Sequence, residues 1–368
     1  MFKPHSIDRF LKATCAIALA FAPMYLRADS FTQTNLVSNV PGLAVTTDPN
    51  LQNPWGVSFS ATSPFWVANQ AAGNSTLYNG AGAITPLVVT IPPSATPPTG
   101  PTGTVFNNST GFKVGTAASN FIFDTLNGTI AAWNSSAGTT AQVMATTPGA
   151  VYTGLAQNTS GGATFLYAAS ATGSIHVFDS NWNDVTSTMF SGKFTDPSLP
   201  TGYTPFNIQT IGSNLYVTYS GTTGGFVDEY DTSGNFIKRI ASGGALFSPW
   251  GLVIAPANFG IFSNDLLVGN FGNGEILAYD PTTDAFLGML DGPNGQPLVN
   301  DFLWSLETRT GGAGVNLNAV YFTAGIDNQK DGIFGELTET TPEPATIFET
   351  ASGLIALALF KVRSRRRS

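Results

Sequence analysis

The sequence predicts an all-β fold, a six-bladed β-propeller closed by an N-terminal strand and followed by a C-terminal membrane-anchor helix. Three observations carry that expectation. A strand-like segment returns six times, centred on Val67, Phe123, Tyr167, Val217, Val268 and Phe322, at intervals of 44 to 56 residues. A period near 50 residues is that of one four-stranded propeller blade. Charged residues make up 10% of the chain, against about 25% in ordinary globular proteins, as expected when blade sheets stack and bury both faces. Glycine (40 residues) and proline (23 residues) are plentiful, which suits many tight turns between short strands.

In chain order, residues 1–28 read as an export signal. Basic Lys3, Arg9 and Lys12 precede the apolar run from Ala13 to Phe21, which is too short to span a bilayer. Ala28 is a small residue suited to the position before cleavage, and Cys15 lies within the removed segment. The mature chain then holds no cysteine, so it has no disulfide, thiolate metal site or cysteine nucleophile.

Residues 29–340 form the propeller. Thr32 to Val40 has no repeat of its own and is expected to supply the outer strand of the last blade, removing the free sheet edge. Asn53-Pro54-Trp55-Gly56-Val57 returns as Ser248-Pro249-Trp250-Gly251-Leu252. Each is followed by a strand ending in a small polar residue, Phe65 to Asn69 and Leu266 to Asn270. A glycine turn and an aromatic-ended strand come next, as in Gly274-Glu275-Ile276-Leu277-Ala278-Tyr279-Asp280. The Pro-rich stretch Ile91 to Pro101 is an insertion or inter-blade loop, and a seventh blade remains open if it hides a degenerate one. Residues 341–368 place Pro342-Glu343-Pro344 before a short apolar helix and the cluster Arg365-Arg366-Arg367. Arginines there would hold that end in the cytoplasm.

The net charge of −8 conceals an uneven layout. Nine of the 15 Lys and Arg lie before residue 28 or after residue 360, and 19 of the 23 Asp and Glu lie between residues 30 and 340. A nucleic-acid partner needs clustered cations to displace counterions, so that class is excluded.

The tail closely resembles the PEP-CTERM sorting signal of Gram-negative bacteria, also labelled an ice-binding-protein C-terminal domain. That resemblance implies Sec-type export, transient anchoring in the inner membrane, and recognition near Pro342, Glu343 and Pro344 by an exosortase. The product would be attached at the cell surface or released. The small-polar, turn, glycine, aromatic rhythm resembles NHL-type propellers. A closer similarity, across nearly the whole body, is to an uncharacterised family of exported bacterial propellers with such tails. It rests on Asp48 to Gly56, Ser248 to Gly251, Asn294 to Leu306, and Val320 to Gly325 followed by Gly332 to Gly335. It implies the fold and brings no activity.

Candidate chemistry is sparse. His176, the single histidine of the mature chain, alternates with Ile175 and Val177 and reads as a structural strand residue. No G-x-S-x-G elbow occurs. Streptogramin-inactivating propeller lyases rely on histidine and a metal, which one histidine serves poorly. Propeller lactonases, which this architecture also resembles, hold a divalent cation in the central channel on Glu, Asn and Asp oxygens. On that resemblance Asn69, Asp124, Asn270, Asn300 and Asp301 are candidate ligands for Ca2+ or another divalent cation, with Ser170, Ser220, Asn53 and Asn207 beside them. The competing reading makes them turn-capping side chains. Asp327 to Gly332 is a weak calcium-loop likeness, lacking the final Glu. Trp55 and Trp250 read as packing anchors. The resulting expectation is a non-catalytic binding module at the cell surface or in the extracellular matrix, with polysaccharide or a surface protein as partner and no cofactor. The alternative is a divalent-cation-dependent hydrolase or lactonase.

Overall fold

Six sheets stand around one axis, each read outward from an inner strand, in a computed structural model that describes residues 30–92 and 99–340. The expected export signal (1–28), most of the Pro-rich stretch (93–98) and the whole of the expected sorting tail, with the anchor helix expected in it, lie outside the described residues. Among the described residues no helix is long and apolar enough to cross a membrane.

Blade 1 comprises Pro54–Ser58, Phe65–Asn69, Asn74–Tyr78 and Ile84–Thr90. Blade 2 comprises Pro101–Phe106, Phe121–Thr125, Thr129–Trp133 and Gln142–Thr146, with a short hairpin, Lys113–Val114 and Ala117–Ala118, inserted after its inner strand. Blade 3 has three strands, Tyr152–Ser160, Ala163–Ser170 and Ser174–Phe178. Blade 4 comprises Thr204–Ile211, Asn214–Ser220, Phe226–Tyr230 and Phe236–Ser242, and blade 5 comprises Pro249–Ile254, Leu266–Asn270, Ile276–Tyr279 and Phe286–Met289. Blade 6 is built from Leu303–Glu307, Val320–Ala324 and Ile333–Glu339, with Phe31–Ser38 as its fourth strand. That N-terminal strand pairs antiparallel from Phe31 against Glu339 to Ser38 against Ile333. The first strand of the chain thus closes the ring. No seventh blade forms among the described residues.

The low charge content has its cause here. Four second strands, in blades 1, 2, 5 and 6, are buried along their whole length. Six apolar clusters fill the six spaces between neighbouring blades, one per space. Each blade therefore has two apolar faces, and its strands read as near-continuous hydrophobic runs rather than alternating ones.

Blade 3 lacks an outer strand because the chain after Phe178 turns away, leaving one bridge from Phe178 to Asp184. The exposed edge is partly covered instead: Val185 N–H donates to Val177, and Val185 and Phe190 pack into the core between blades 3 and 4. In blade 4 the outer-strand residue Arg239 is held by Asp228, 2.8 Å from its Nε, and by Asp196 from the loop after blade 3. Both carboxylates are fully buried.

Candidate functional site

Six inner strands line the axis in common register. Counted from Pro54, Pro101, Tyr152, Pro205, Pro249 and Leu303 as first residues, the second residues are Trp55, Thr102, Thr153, Phe206, Trp250 and Trp304, and the third residues are Gly56, Gly103, Gly154, Asn207, Gly251 and Ser305. The register follows from pairing: Pro54, Pro101, Tyr152, Pro205, Pro249 and Leu303 all face equivalent second-strand positions, and the inner strand bulges just after each. Asn53, Ser248 and Phe302, immediately before three of these strands, share a left-handed backbone with φ of 46°, 51° and 53°.

The third-residue layer is small because neighbouring inner strands touch there. A Cβ at Gly154 would collide with the Asn207 side chain, and one at Gly251 with the Trp304 carbonyl. Asn207 uses the contact, donating from Nδ2 to the Trp250 carbonyl at 2.8 Å.

The second-residue layer closes the channel. Trp55 stacks on Trp304 with ring centroids 3.4 Å apart, and Trp250 meets both edge-on at 6.4 and 5.8 Å. Phe206, Phe271 and Leu126 pack around the three indoles. Trp250 Nε1 donates to the Thr153 carbonyl of blade 3, and Trp304 Nε1 donates to Asn53 Oδ1 at 3.1 Å. Trp55 Nε1, also buried, has no partner among the described residues.

Beyond the plug the channel widens into a cup of about 290 Å³. Its wall runs from Gly56, Gly103 and Trp250 to Phe59, Phe106, Asn108, Gln157, Thr210 and Glu307. Exposure rises in that direction, ending with exposed Asn108, so the cup opens where the inner strands end. Among the described residues Glu307 is its single ionisable lining group. Gln209 of blade 4 donates to Glu307 of blade 6 at 3.1 Å, a bond that passes blade 5 and bars part of the mouth. Glu307 touches the cavity yet is ringed by protein, and this loss of water pushes its carboxyl up to about 8, the Gln209 bond offsetting only part.

Asp124 sits behind the cup wall, fully buried. Its Oδ1 accepts from Thr102 Oγ1 at 2.7 Å and from the Gly103 amide at 2.5 Å, while Oδ2 has no partner among the described residues. Burial outweighs those bonds and pushes the carboxyl up to about 7.

The five candidate cation ligands do not converge. Asn69 donates to Asn74 and Thr76 within blade 1. Asn270 accepts from Phe247 N–H and donates to the Ala245 carbonyl, capping the loop that leads into its blade. Asn300 exchanges two amide bonds with Gln33 of the closing strand. Asp301 is exposed. Asp124 departs from the expected repeat by one residue: Thr125, not Asp124, faces Pro101 as Asn69 faces Pro54 and Asn270 faces Pro249. A one-residue offset in a strand turns the side chain to the other face. Ser220 is one residue out of step in the other direction, since Tyr219 faces Pro205. Asn53 and Asn207 bond to Trp304 and to the Trp250 carbonyl. The donor set of a channel cation site is therefore not assembled, and no group of three or more acidic, histidine or cysteine side chains suited to a metal gathers among the described residues.

His176 lies on the third strand of blade 3, with Nδ1 3.3 Å from Asp184, Nε2 3.0 Å from Ser174 Oγ, and the Tyr152 ring edge-on. It does not line the cup. Asp327, Asn328 and Gln329 form a left-handed turn, φ 50°, 54° and 66°, whose Gln329 approaches Asn53 beside the plug. Sequence reasoning missed Trp304, Gln209 and Glu307. The available signal was Trp304 followed by Ser305 and Leu306, a copy of Trp-Gly-Val and Trp-Gly-Leu with Leu303 in place of proline.

Together the ring and its plugged channel define a six-bladed β-propeller with a one-ended axial cup. No family model matches the chain. It is 30% identical over 323 residues to uncharacterised protein R648 of Acanthamoeba polyphaga mimivirus, spanning 82% of this chain and 78% of that one, and it belongs to the same family. Uncharacterised protein L690 of the same virus is 28% identical over 336 residues, spanning 83% of this chain and 84% of that one. Among solved structures, a glucose dehydrogenase superposes with a TM-score of 0.54 at 11% identity, over 84% of this chain and all of that one. That likeness is one of fold.

Proposed function

We propose that the protein is an exported, non-catalytic binding module that takes a small ligand group into the axial cup. The observation carrying this reading is the cup itself. It is closed by three indoles at one end, open at the other, and walled by amide, hydroxyl and apolar groups with one carboxyl. General acid–base or nucleophilic chemistry needs at least two cooperating groups at the reacting atoms, and the cup offers Glu307 alone. A hydrolase using a channel cation is not favoured, because Asn69, Asp124, Asn270 and Asn300 are engaged in four separate places and Asp301 is exposed.

Export and sorting complete the proposal. The basic, apolar, small-residue order of residues 1–28 supports Sec-type export. Pro342-Glu343-Pro344, the apolar run after it and Arg365-Arg366-Arg367 support exosortase sorting, transient anchoring in the inner membrane and a final place at the cell surface or outside it. Extracellular polysaccharide or a surface protein is the partner class.

Two measurements test this. In a Gram-negative host with an exosortase, the tagged chain is processed, and the variant Pro342→Ala, Glu343→Ala, Pro344→Ala is retained unprocessed. The purified protein sediments with exopolysaccharide from that host, and Gln209→Trp, which fills the cup mouth, does not. Equal sedimentation of the two, with both folded, refutes the cup as the binding site.

A further inference from the structure

The one carboxyl of the cup, with no cation in the lining beside it, identifies a ligand class, given the binding role just proposed. The wall amides each commit one N–H to the protein, Gln157 Nε2 to Asn107 Oδ1, Asn207 Nδ2 to the Trp250 carbonyl and Gln209 Nε2 to Glu307, and each keeps a second, while Thr210 Oγ1 donates to the Gln157 carbonyl. Ser58 and Thr104 hydroxyls bond each other at 3.0 Å, leaving one proton between them. Gln209 Oε1 and, once the carboxyl is ionised, the second Glu307 oxygen are open as acceptors. Among the described residues no Lys, Arg or His lines the cavity. Arg309, two residues along the chain from Glu307, packs over Phe59 and Phe65 and is held by the Ser60 and Ser63 carbonyls. Glu336 and Tyr321, on the neighbouring strands of blade 6, do not line the cup. An anion would meet a carboxyl without a counter-charge there. The volume lies at the small end of ligand pockets, which run from about 300 Å³ upward, and Trp250, Phe59 and Phe106 give it aromatic surface.

We propose that the cup binds a small protonated primary amine, free or as the terminal group of a larger molecule, with Glu307 as its counter-charge and Gln209 Oε1 as a second acceptor. An ammonium head brings a positive charge and three donors, which match the one carboxyl and the open Gln209 Oε1. Binding requires Glu307 to ionise, so the complex forms with release of its proton.

The probe is propylammonium chloride, charged from pH 6 to 9, titrated into the purified protein by calorimetry at constant ionic strength. Its neutral and anionic counterparts are 1-propanol and propionate. With Glu307 titrating at about 8, affinity for propylammonium is expected to rise about tenfold from pH 6 to pH 7 and to level off above pH 8. Titrations in two buffers of different ionisation heat should show close to one proton released at pH 7. Glu307→Gln, which keeps the shape and the contact with Gln209, should lose at least tenfold in affinity, and Gln209→Leu should lose several-fold. The wild-type pH profile serves if either variant fails to fold. Equal binding by Glu307→Gln, preference for 1-propanol or propionate, a flat pH profile, or no saturable heat from any probe overturns the proposal. If the amine fails while Gln209→Trp still abolishes exopolysaccharide binding, the ligand class falls and the binding module stands. If both fail, the cup is not a binding site.

Discussion

Replacing Asp124 with asparagine isolates the cost of one buried carboxyl. In the folded protein this group titrates at about 7, against 3.8 for an ordinary aspartate. The sign follows from proton counting. Between those two values the unfolded chain has released the proton and the folded chain still holds it, so the native state binds more protons. Its stability then falls as pH climbs from about 4 to about 7 and is level beyond. At 1.36 kcal/mol for each pH unit, a gap of 7 − 3.8 amounts to about 4 kcal/mol at neutral pH and above. Asp124→Asn keeps the acceptor for Thr102 Oγ1 and the Gly103 amide and removes the titration, but places an amide where Oδ2 lacks a partner, at about 1–3 kcal/mol independent of pH. Measured by urea unfolding at pH 4, 6 and 8, the variant should gain on the wild type by about 4 kcal/mol between the ends of that range. Glu307 titrates identically in both proteins and cancels. A difference that does not change with pH, or a wild type that gains on the variant as pH rises, would mean that the two donors hold Asp124 ionised and that the reasoning is wrong.

Trp304→Ala should lower stability by about 3–5 kcal/mol in urea unfolding, the usual cost of emptying a large core site, because Trp304 is almost fully buried against Trp55 and Phe271 and holds Asn53 Oδ1; a loss below about 1 kcal/mol would show that the plug is not packing core. Arg239→Met strips the counter-charge from Asp228 and Asp196 and should cost about 3–5 kcal/mol at pH 8, with a smaller loss below pH 6, where Asp228, pushed up to about 6 by burial, takes a proton; a loss independent of pH sinks this account. Because the five candidate cation ligands are dispersed, the melting temperature in excess Ca2+ and in chelator should agree to within about 1 °C, and a rise of several degrees with Ca2+ would reopen the hydrolase reading.

Much of the ring was legible because stacked blades repeat their burial, and burial writes itself as apolar strands separated by glycine turns. The second and third strands of every blade, and the closing role of Thr32 to Val40, could be read that way. The channel was less legible, for three physical reasons. Trp304 occupies the same place as Trp55 and Trp250, but leucine and serine replace the flanking proline and glycine, since backbone shape rather than side-chain identity sets that position. Asp124 looks like a strand-end residue until the bulged pairing of blade 2 fixes its register. Glu307 follows an ordinary strand pattern, and nothing local marks it as the one acid facing the axis; that depends on Gln209, 98 residues away. Blade 3 was read as a repeat like the others, because its missing fourth strand is replaced by a loop that hides the same apolar surface.

The pairing of blade 6 also fixes which way the molecule faces. Ile333–Glu339 runs antiparallel to Val320–Ala324, which runs antiparallel to Leu303–Glu307. The chain therefore reaches Thr340 on the side where Glu307 stands, beside Ser30, whose carbonyl accepts from the Thr340 amide at 2.7 Å. A tether attached after Thr340 would pull from the rim of that side. The opening would then look back toward whatever holds the protein, with the indole-capped side turned outward, and anything entering the cup would do so from the gap between the ring and its own support.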